Sequence, residues 1–277
     1  MSAAAPEAVR MVDVAGSRLR IAVRHGDPGR VPLLLVNGIG CGFESFDALV
    51  GALDPAIPVV RFDPPGAGGS PLPAGPYRLP GLARTVVALL DHLGHERCDV
   101  LGISWGGALA QQIARTGQER CRRLVLVATG TGALMVPASP RVLLRLATPR
   151  RHRDPGYVRR VAPDLYGGSA RTRPELAEHV LHDHSRTGPA LGYAYQLLAA
   201  AGWTSLPYLP LLRQPTLVLT GDDDPIIPPV NGRLLAALIP QARLHVYRGG
   251  HIELAADPEH LVPVIEEFLT LTGEDLS

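Results

Sequence analysis

Lysine is missing from this sequence: all 27 basic residues of the 277-residue chain are arginine. Enzymes that bind a carbonyl compound as a Schiff base need a lysine amine, and the phosphate-binding Walker loop of P-loop NTPases also needs a lysine. The absence of lysine therefore excludes pyridoxal-dependent enzymes and P-loop NTPases.

An excess of charge of either sign is also missing. The 27 basic residues are balanced by 26 acidic residues, which leaves a net charge of +1 at pH 7. Proteins that bind nucleic acids or anionic membranes carry a basic excess or a basic patch. We therefore expect no nucleic-acid partner, and we expect a substrate that is neutral or held by apolar contacts.

Cysteines and long apolar runs are scarce. Cys41, Cys98 and Cys121 are widely spaced and odd in number, so we expect no disulfide framework and no zinc site, and interpret all three as small buried residues. No stretch of 18 apolar residues occurs, and the first 16 residues contain Glu7 and no apolar run of signal-peptide length. These features predict a cytoplasmic protein without a transmembrane segment.

Short apolar runs alternate with longer helical patterns along most of the chain. Strands are predicted over residues 18–26, 31–40, 57–70, 97–104, 122–130, 215–225 and 242–250. Helices are predicted over residues 77–94, 105–117, 230–240 and 259–273. Strands that are apolar throughout and separated by helices are typical of a parallel sheet covered on both faces, so the predicted class is α/β.

The alternation breaks in the middle of the chain, where prolines separate short helical pieces. Because the strand–helix order resumes near residue 215, the break is interpreted as an insertion between two parts of one sheet. We predict a core of residues 1–130 and 214–277 and an inserted helical cap of residues 131–213. The five arginines of residues 150–160 are expected on the solvated outer face of this cap.

A serine lies at the junction of a predicted strand and a predicted helix, in the segment Gly102-Ile103-Ser104-Trp105-Gly106. A turn this sharp places the serine in a strained conformation and lifts its hydroxyl above the sheet, and the flanking glycines avoid collisions with the neighbouring turn. The amide of Trp105 at the start of the helix would face a developing oxyanion. Ser104 is therefore the candidate nucleophile.

A serine nucleophile needs a base and an acid that orients the base, in the chain order serine, acid, histidine. His251 follows a late strand on a Gly-Gly loop and is the predicted base. The acids after the preceding predicted strand lie at its carboxyl end, where parallel sheets place their active crevice. Asp224 is favoured because Pro225 fixes its turn, and Asp223 is the alternative.

A second oxyanion donor is expected from the loop Asn37-Gly38-Ile39-Gly40. Its two glycines would let the backbone pass close to a bound carbonyl, and the amide of Ile39 is the predicted donor. A plain tight turn is the alternative interpretation of this loop.

Further motifs run through nearly the whole chain. They are NGIG, FDPPGAGGS, YRLPGLA, GISWGGALAQQ followed by ERC, MVP at 135–137, PRR at 149–151, YGG at 166–168, GWTS at 202–205 and RQPTLVLTGDDDPIIP. With them the sequence resembles the α/β-hydrolases, and more narrowly the intracellular depolymerases of medium-chain-length poly(3-hydroxyalkanoate). This resemblance places the family's nucleophile, acid and base on Ser104, Asp224 and His251.

The resemblance implies a serine hydrolase that cleaves a polyester through an acyl-enzyme, without cofactor or metal, in the cytoplasm and at the surface of storage granules. The cap would bind the alkyl side chains of the polymer and exclude water. Its candidate lining residues are Leu143, Leu144, Tyr193, Tyr195, Leu197 and Trp203. Two alternatives stay open: a carboxylesterase for small soluble esters, and a granule-bound protein that does not use its triad.

Overall fold

An eight-stranded sheet forms the centre of the protein in a computed structural model, which describes residues 7–183 and 186–271. The strands are β1 (Ala8–Val14), β2 (Ser17–Arg24), β3 (Leu33–Val36), β4 (Val59–Phe62), β5 (Cys98–Ile103), β6 (Cys121–Val127), β7 (Thr216–Gly221) and β8 (Ala242–Tyr247). Their spatial order is β1-β2-β4-β3-β5-β6-β7-β8. Strand β2 pairs antiparallel with β1 and β4, and every other pairing is parallel. The predicted mostly parallel α/β fold is confirmed.

Helices cover both faces of the sheet. The α-helices are α1 (Asp47–Ala52), α2 (Leu79–His92), α3 (Trp105–Thr116), α4 (Pro140–Leu146), α5 (Pro155–Tyr166), α6 (Glu175–Glu178), α7 (Ala190–Ala200), α8 (Val230–Leu238), α9 (Glu253–Ala256) and α10 (Val262–Thr270). Helices α2, α3 and α8 pack on one face, and α1 and α10 pack on the other. In β5, Val100 joins the first core while Leu101 joins the second, because successive side chains of a strand alternate between faces.

Strand β1 was not predicted. Only Val12 and Val14 of this strand are buried, and its remaining side chains are exposed. It extends the sheet at the edge next to β2, so its sequence lacks the continuous apolar character of the central strands.

The segment between β6 and β7 contributes α4 to α7, at the end of the sheet where the parallel strands terminate. Val158 and Leu165 of α5 form a third core together with Ile226 and Ile252, which follow β7 and β8. The inserted helices therefore pack on the loops that carry the candidate acid and base. The exact division into core and cap stays a prediction. Within the described parts of the chain, no helix has the length and apolar character needed to cross a bilayer.

Candidate active site

The connection between β5 and α3 is a single residue, Ser104, because β5 ends at Ile103 and α3 begins at Trp105. Its backbone has φ 56° and ψ −119°, a region that non-glycine residues rarely occupy and that costs about 1–3 kcal/mol. Hydrogen bonds hold the strained residue: its amide donates to the Val127 carbonyl at 2.9 Å, and the Thr129 hydroxyl donates to the Ser104 carbonyl at 2.8 Å. The half-buried side chain stands at the carboxyl end of the sheet.

Gly102 and Gly106, on either side of Ser104, are required because neither position has room for a Cβ atom. A Cβ atom on Gly102 would lie 2.3 Å from the Gly106 carbonyl oxygen, and a Cβ atom on Gly106 would lie 2.0 Å from the Val36 carbonyl oxygen. Neither glycine has a positive φ. A side chain at either position would therefore collide, as predicted, with backbone atoms of β3 or of the first turn of α3.

His251 links Ser104 to an aspartate. Its Nε2 lies 2.9 Å from Ser104 Oγ, and its Nδ1 lies 2.7 Å from Asp224 Oδ2. The second carboxylate oxygen of Asp224 accepts the amides of Ile226 and Ile227 at 2.8 and 2.9 Å, which fixes the carboxylate. Because an ionised carboxylate only accepts hydrogen bonds, Nδ1 carries the proton and Nε2 faces the serine as an acceptor. This arrangement can remove the hydroxyl proton during nucleophilic attack.

Asp223, the alternative acid, has a different partner. Its Oδ1 accepts Arg171 Nη2 at 2.7 Å, and its Oδ2 accepts the Gly168 amide at 2.8 Å. The hydrogen bond from the guanidinium lowers the pKa of this carboxyl. Asp223 therefore ties α5 and the turn that follows it to the core, and the structure places Asp224 beside the histidine.

The histidine loop is held by the inserted segment. The His251 amide donates to the Tyr166 carbonyl at 2.8 Å, and the buried Glu253 accepts the amides of Ser169 and Gly250 at 2.6 and 3.0 Å. A Cβ atom on Gly250 would lie 2.1 Å from the Tyr166 carbonyl oxygen, so this close approach needs glycine. Glu253 is not among the predicted site residues, because a lone glutamate near a helix start carries no distinctive signal.

The predicted oxyanion loop lies beside the nucleophile. A Cβ atom on Gly38 would be 3.8 Å from Ser104 Cβ. The loop is fixed by Asn37 Nδ2, which donates to the Cys41 carbonyl at 2.6 Å, and by the Gly40 amide, which donates to Gln196 Oε1 at 2.8 Å. Ile39 from this loop and Trp105 from the start of α3 both line the cavity that contains the serine. Their role as oxyanion donors stays a prediction.

A cavity of about 270 Å³ lies between the inserted helices and the candidate triad. Four of the six predicted lining residues line it: Leu143, Tyr193, Leu197 and Trp203. The other two do not. Leu144 is 74% exposed, because Leu143 and Leu146 share the face of α4 that lines the cavity and Leu144 lies off this face. Tyr195 lies off the face of α7 that carries Tyr193, Leu197 and Ala200.

Three polar residues in the cavity wall were missed. Arg151 was expected on the outer face of the cap and is instead buried, and its Nη1 donates to Tyr193 Oη at 2.8 Å. His152 is buried beside it, and burial lowers the pKa of its ring well below the usual value, so the ring is neutral. Tyr166 completes the group. Arg151 and His152 lie in a single 3₁₀ turn, which is too short to show a periodic pattern.

Cys41 lies in the same cavity wall, and all three cysteines are buried free thiols, as predicted. Burial raises the pKa of the Cys41 thiol to about 11. A thiol is a strong nucleophile only as the thiolate. Of Cys41 and Ser104, Ser104 is the one with a histidine nitrogen at 2.9 Å, and its role as the nucleophile stays a prediction.

A family model with the description alpha/beta hydrolase fold matches residues 31–254. The chain belongs to the α/β-hydrolase family. The poly(3-hydroxyalkanoate) depolymerase of Ectopseudomonas oleovorans is 49% identical to this α/β-hydrolase over 265 residues, which are 95% of this chain and 93% of that enzyme. The two proteins belong to one family, so the resemblance predicted from the motifs is confirmed.

Solved structures of other hydrolytic enzymes share the fold of this α/β-hydrolase. The enol-lactonase of Burkholderia xenovorans LB400 has 26% identity and a TM-score of 0.81, with coverage of 95% of this chain and 100% of that one. A thermophilic esterase of Thermogutta terrifontis has 27% identity and a TM-score of 0.79, with coverage of 98% of this chain and 100% of that one. Both TM-scores show that the fold is shared over nearly the whole chain.

Proposed function

We propose that this ester hydrolase cleaves medium-chain-length poly(3-hydroxyalkanoate) inside the cell through an acyl-enzyme and releases 3-hydroxyalkanoate units. The observation that carries the chemistry is the hydrogen-bonded series Ser104, His251 and Asp224 at the floor of a largely apolar cavity. The 49% identity to the poly(3-hydroxyalkanoate) depolymerase supports the polyester as substrate.

The first half of the reaction forms the acyl-enzyme. His251 Nε2 takes the proton of Ser104 Oγ, 2.9 Å away, as the oxygen attacks the ester carbonyl. The amides of Ile39 and Trp105 would hold the oxyanion, and Asp224 stabilises the charged imidazole that forms. His251 then protonates the leaving hydroxyl of the polymer, the ester C–O bond breaks, and the acyl group stays on Ser104.

The second half releases the acid. A water molecule takes the place of the departed hydroxyl, and the same imidazole removes its proton as the water attacks the acyl carbonyl. Collapse of the second tetrahedral intermediate returns the proton to Ser104 Oγ and frees a carboxylic acid. The cycle uses only side chains and backbone amides of this chain, and no step needs a cofactor.

The cavity wall supports an aliphatic side chain on the substrate. Leu143, Leu197 and Trp203 contribute apolar surface from three parts of the inserted segment, and Met135 adds a flexible thioether. Apolar side chains of this kind would bind an alkyl group and exclude water from the ester.

Exposed leucines beside the cavity support contact with an insoluble substrate. Leu144 follows the cavity-lining Leu143 and is 74% exposed, and Leu198 follows Leu197 and is 51% exposed. Exposed apolar side chains that form a patch are characteristic of surfaces that contact other apolar material. We propose that these two helices face the polymer granule.

A small-ester carboxylesterase is the second candidate function. The similarity to the thermophilic esterase of Thermogutta terrifontis favours it, and the proposed triad would act on small esters equally well. The two functions differ in whether an insoluble polymer is degraded.

Purified enzyme incubated with artificial amorphous granules tests the proposal. Granules of medium-side-chain polyester should release 3-hydroxyalkanoic acids, with a rate about tenfold or more above that on short-side-chain granules, because each buried CH₂ contributes about 0.8 kcal/mol. Chromatography with mass detection identifies the products. Rapid hydrolysis of a soluble short ester without acid release from either granule would favour the carboxylesterase, and inertness toward all three would indicate a granule-binding protein.

A further inference from the structure

A buried guanidinium without an acidic partner lies in the wall of the candidate active site. Arg151 is 3% exposed, and among the residues that the structure describes no carboxylate lies within ion-pair distance of it. Arg61 pairs with Glu7 and Asp47. Arg24 and Arg123 are also buried without an ion pair, but their guanidinium groups donate to three and to two backbone carbonyls, respectively. Burial of an unpaired cation is costly, so Arg151 has a role that outweighs the loss of its hydration.

The groups around Arg151 do not neutralise its charge, although its guanidinium lies over the Tyr193 ring, 5.4 Å from the centroid. Tyr193 Oη accepts a hydrogen bond from Arg151 Nη1 at 2.8 Å and donates one to the Leu146 carbonyl at 2.6 Å, so its own proton is engaged in the second hydrogen bond. Nη1 makes the one side-chain hydrogen bond that the guanidinium forms with the described residues. The remaining N–H groups can therefore bind a ligand in the cavity that Arg151 lines.

A second polar group in the same wall also lacks a partner. The side chain of Tyr166 is 3% exposed, and its hydroxyl forms no hydrogen bond of ordinary geometry with any residue in the described part of the chain. Tyr166 and Arg151 lie close enough to interact electrostatically, and both line the cavity that contains Ser104 and His251. A fixed positive charge and an unpaired hydroxyl donor thus face one apolar space.

We propose that Arg151 and Tyr166 form a carboxylate subsite that binds the free carboxyl end of the polyester or of its oligomers. The inference rests on the proposed function, because it assigns the end of the same substrate to a place in the cavity. A guanidinium suits this ligand, since its planar N–H groups can bind both oxygens of a carboxylate. The Tyr166 hydroxyl would donate a further hydrogen bond.

The subsite gives the reaction a direction along the polymer. The terminal unit with the free carboxylate supplies the alcohol oxygen of the last ester bond. When Arg151 holds that carboxylate, Ser104 Oγ bonds to the carbonyl carbon of the preceding unit, the ester C–O bond breaks, and His251 gives the leaving oxygen its proton. The released product is a hydroxy acid from the carboxyl end, and the remaining chain leaves Ser104 by hydrolysis. Cleavage then proceeds from the chain end.

Two soluble oligomers test this subsite: a trimer of 3-hydroxyoctanoate with a free carboxyl end and the same trimer capped as its methyl ester. We expect the unaltered enzyme to show a kcat/KM for the free acid roughly tenfold to a hundredfold above that for the capped trimer, the range for a hydrogen bond to a charged group. In Arg151→Met this ratio should fall to about one. Arg151→Lys should retain part of the ratio, because it keeps the charge and loses the planar geometry.

Arg153→Met is the matched control. Arg153 is exposed and lies outside the cavity lining, and its Nη2 donates to the Gly188 carbonyl at 3.3 Å. The ratio in this variant should equal that of the unaltered enzyme. A ratio near one in the unaltered enzyme, or an undiminished ratio in folded Arg151→Met, would overturn the subsite. If Arg151→Met does not fold, Tyr166→Phe provides the comparison, with a smaller fall in the ratio.

A readout that does not depend on the polymer separates the two proposals. Octanoate should inhibit hydrolysis of p-nitrophenyl butyrate, and its inhibition constant should rise roughly tenfold or more in Arg151→Met and stay unchanged in Arg153→Met. If neither trimer is cleaved while this difference is present, the polyester function fails and the carboxylate subsite stands. Equal inhibition constants in both variants would overturn the subsite whatever the enzyme cleaves.

Discussion

Replacement of Ser104 by alanine should lower kcat for ester hydrolysis by about 10⁴- to 10⁶-fold. Ser104 Oγ is 2.9 Å from His251 Nε2, and no other hydroxyl in the described structure has this contact with a histidine that is itself held by an aspartate. The variant keeps the binding cavity and the oxyanion amides. Residual activity should therefore stay above the uncatalysed rate.

Steady-state hydrolysis of p-nitrophenyl octanoate measures this loss, and circular dichroism confirms that the variant is folded. Ser45→Ala is the matched control, because Ser45 lines the same cavity and its hydroxyl donates to the Gly42 carbonyl at 2.9 Å. Its kcat should stay within about tenfold of the unaltered enzyme, the cost of about one ordinary hydrogen bond. If Ser104→Ala is no more impaired than Ser45→Ala, Ser104 is not the nucleophile.

Replacement of Asp224 by asparagine should lower kcat by about 10⁴-fold with little change in fold. An asparagine amide can donate to Nδ1 of His251, which would then carry its proton on Nε2. Such a tautomer cannot accept the proton of Ser104. The backbone amides of Ile226 and Ile227 can still donate to the remaining side-chain oxygen, so the turn should persist.

Asp223→Asn distinguishes the two acids. Asp223 is bonded to Arg171 on a partly exposed surface, and a surface ion pair contributes about 0–1 kcal/mol to stability. We expect a kcat within about threefold of the unaltered enzyme and at most a small fall in the melting temperature. Stopped assays of both variants with one ester check this. A larger loss in Asp223→Asn than in Asp224→Asn would show that Asp223, and not Asp224, orients the histidine.

The candidate catalytic residues were predictable because local backbone constraints produce them. Ser104 occupies a one-residue junction between β5 and α3, and that junction needs glycine at 102 and 106 for lack of space. Asp224 and His251 follow parallel strands, whose carboxyl ends meet at one edge of the sheet. Each of these signals is contained in a few consecutive residues.

The cavity wall was less predictable, because it depends on how short helices turn. Leu143 and Leu144 are equivalent in the sequence, and only the packing of α4 directs one inward and the other outward. Arg151 looks like its neighbours Arg150 and Arg153, and its burial follows from the contact with Tyr193 on α7, 42 residues away. Contacts of this range have no signature in a single sequence.

Labelling with a fluorophosphonate followed by peptide mapping shows whether His251 and Asp224 activate the Ser104 hydroxyl. Because the chain contains no lysine, trypsin cuts only after arginine, and residues 98–115 form one peptide that contains Ser104 and Cys98. We predict a single adduct on this peptide, with fragment ions that place it on Ser104 and with strongly reduced labelling in Asp224→Asn. An adduct on any other residue, or an unaltered enzyme that does not react, would show that Ser104 is not the activated nucleophile.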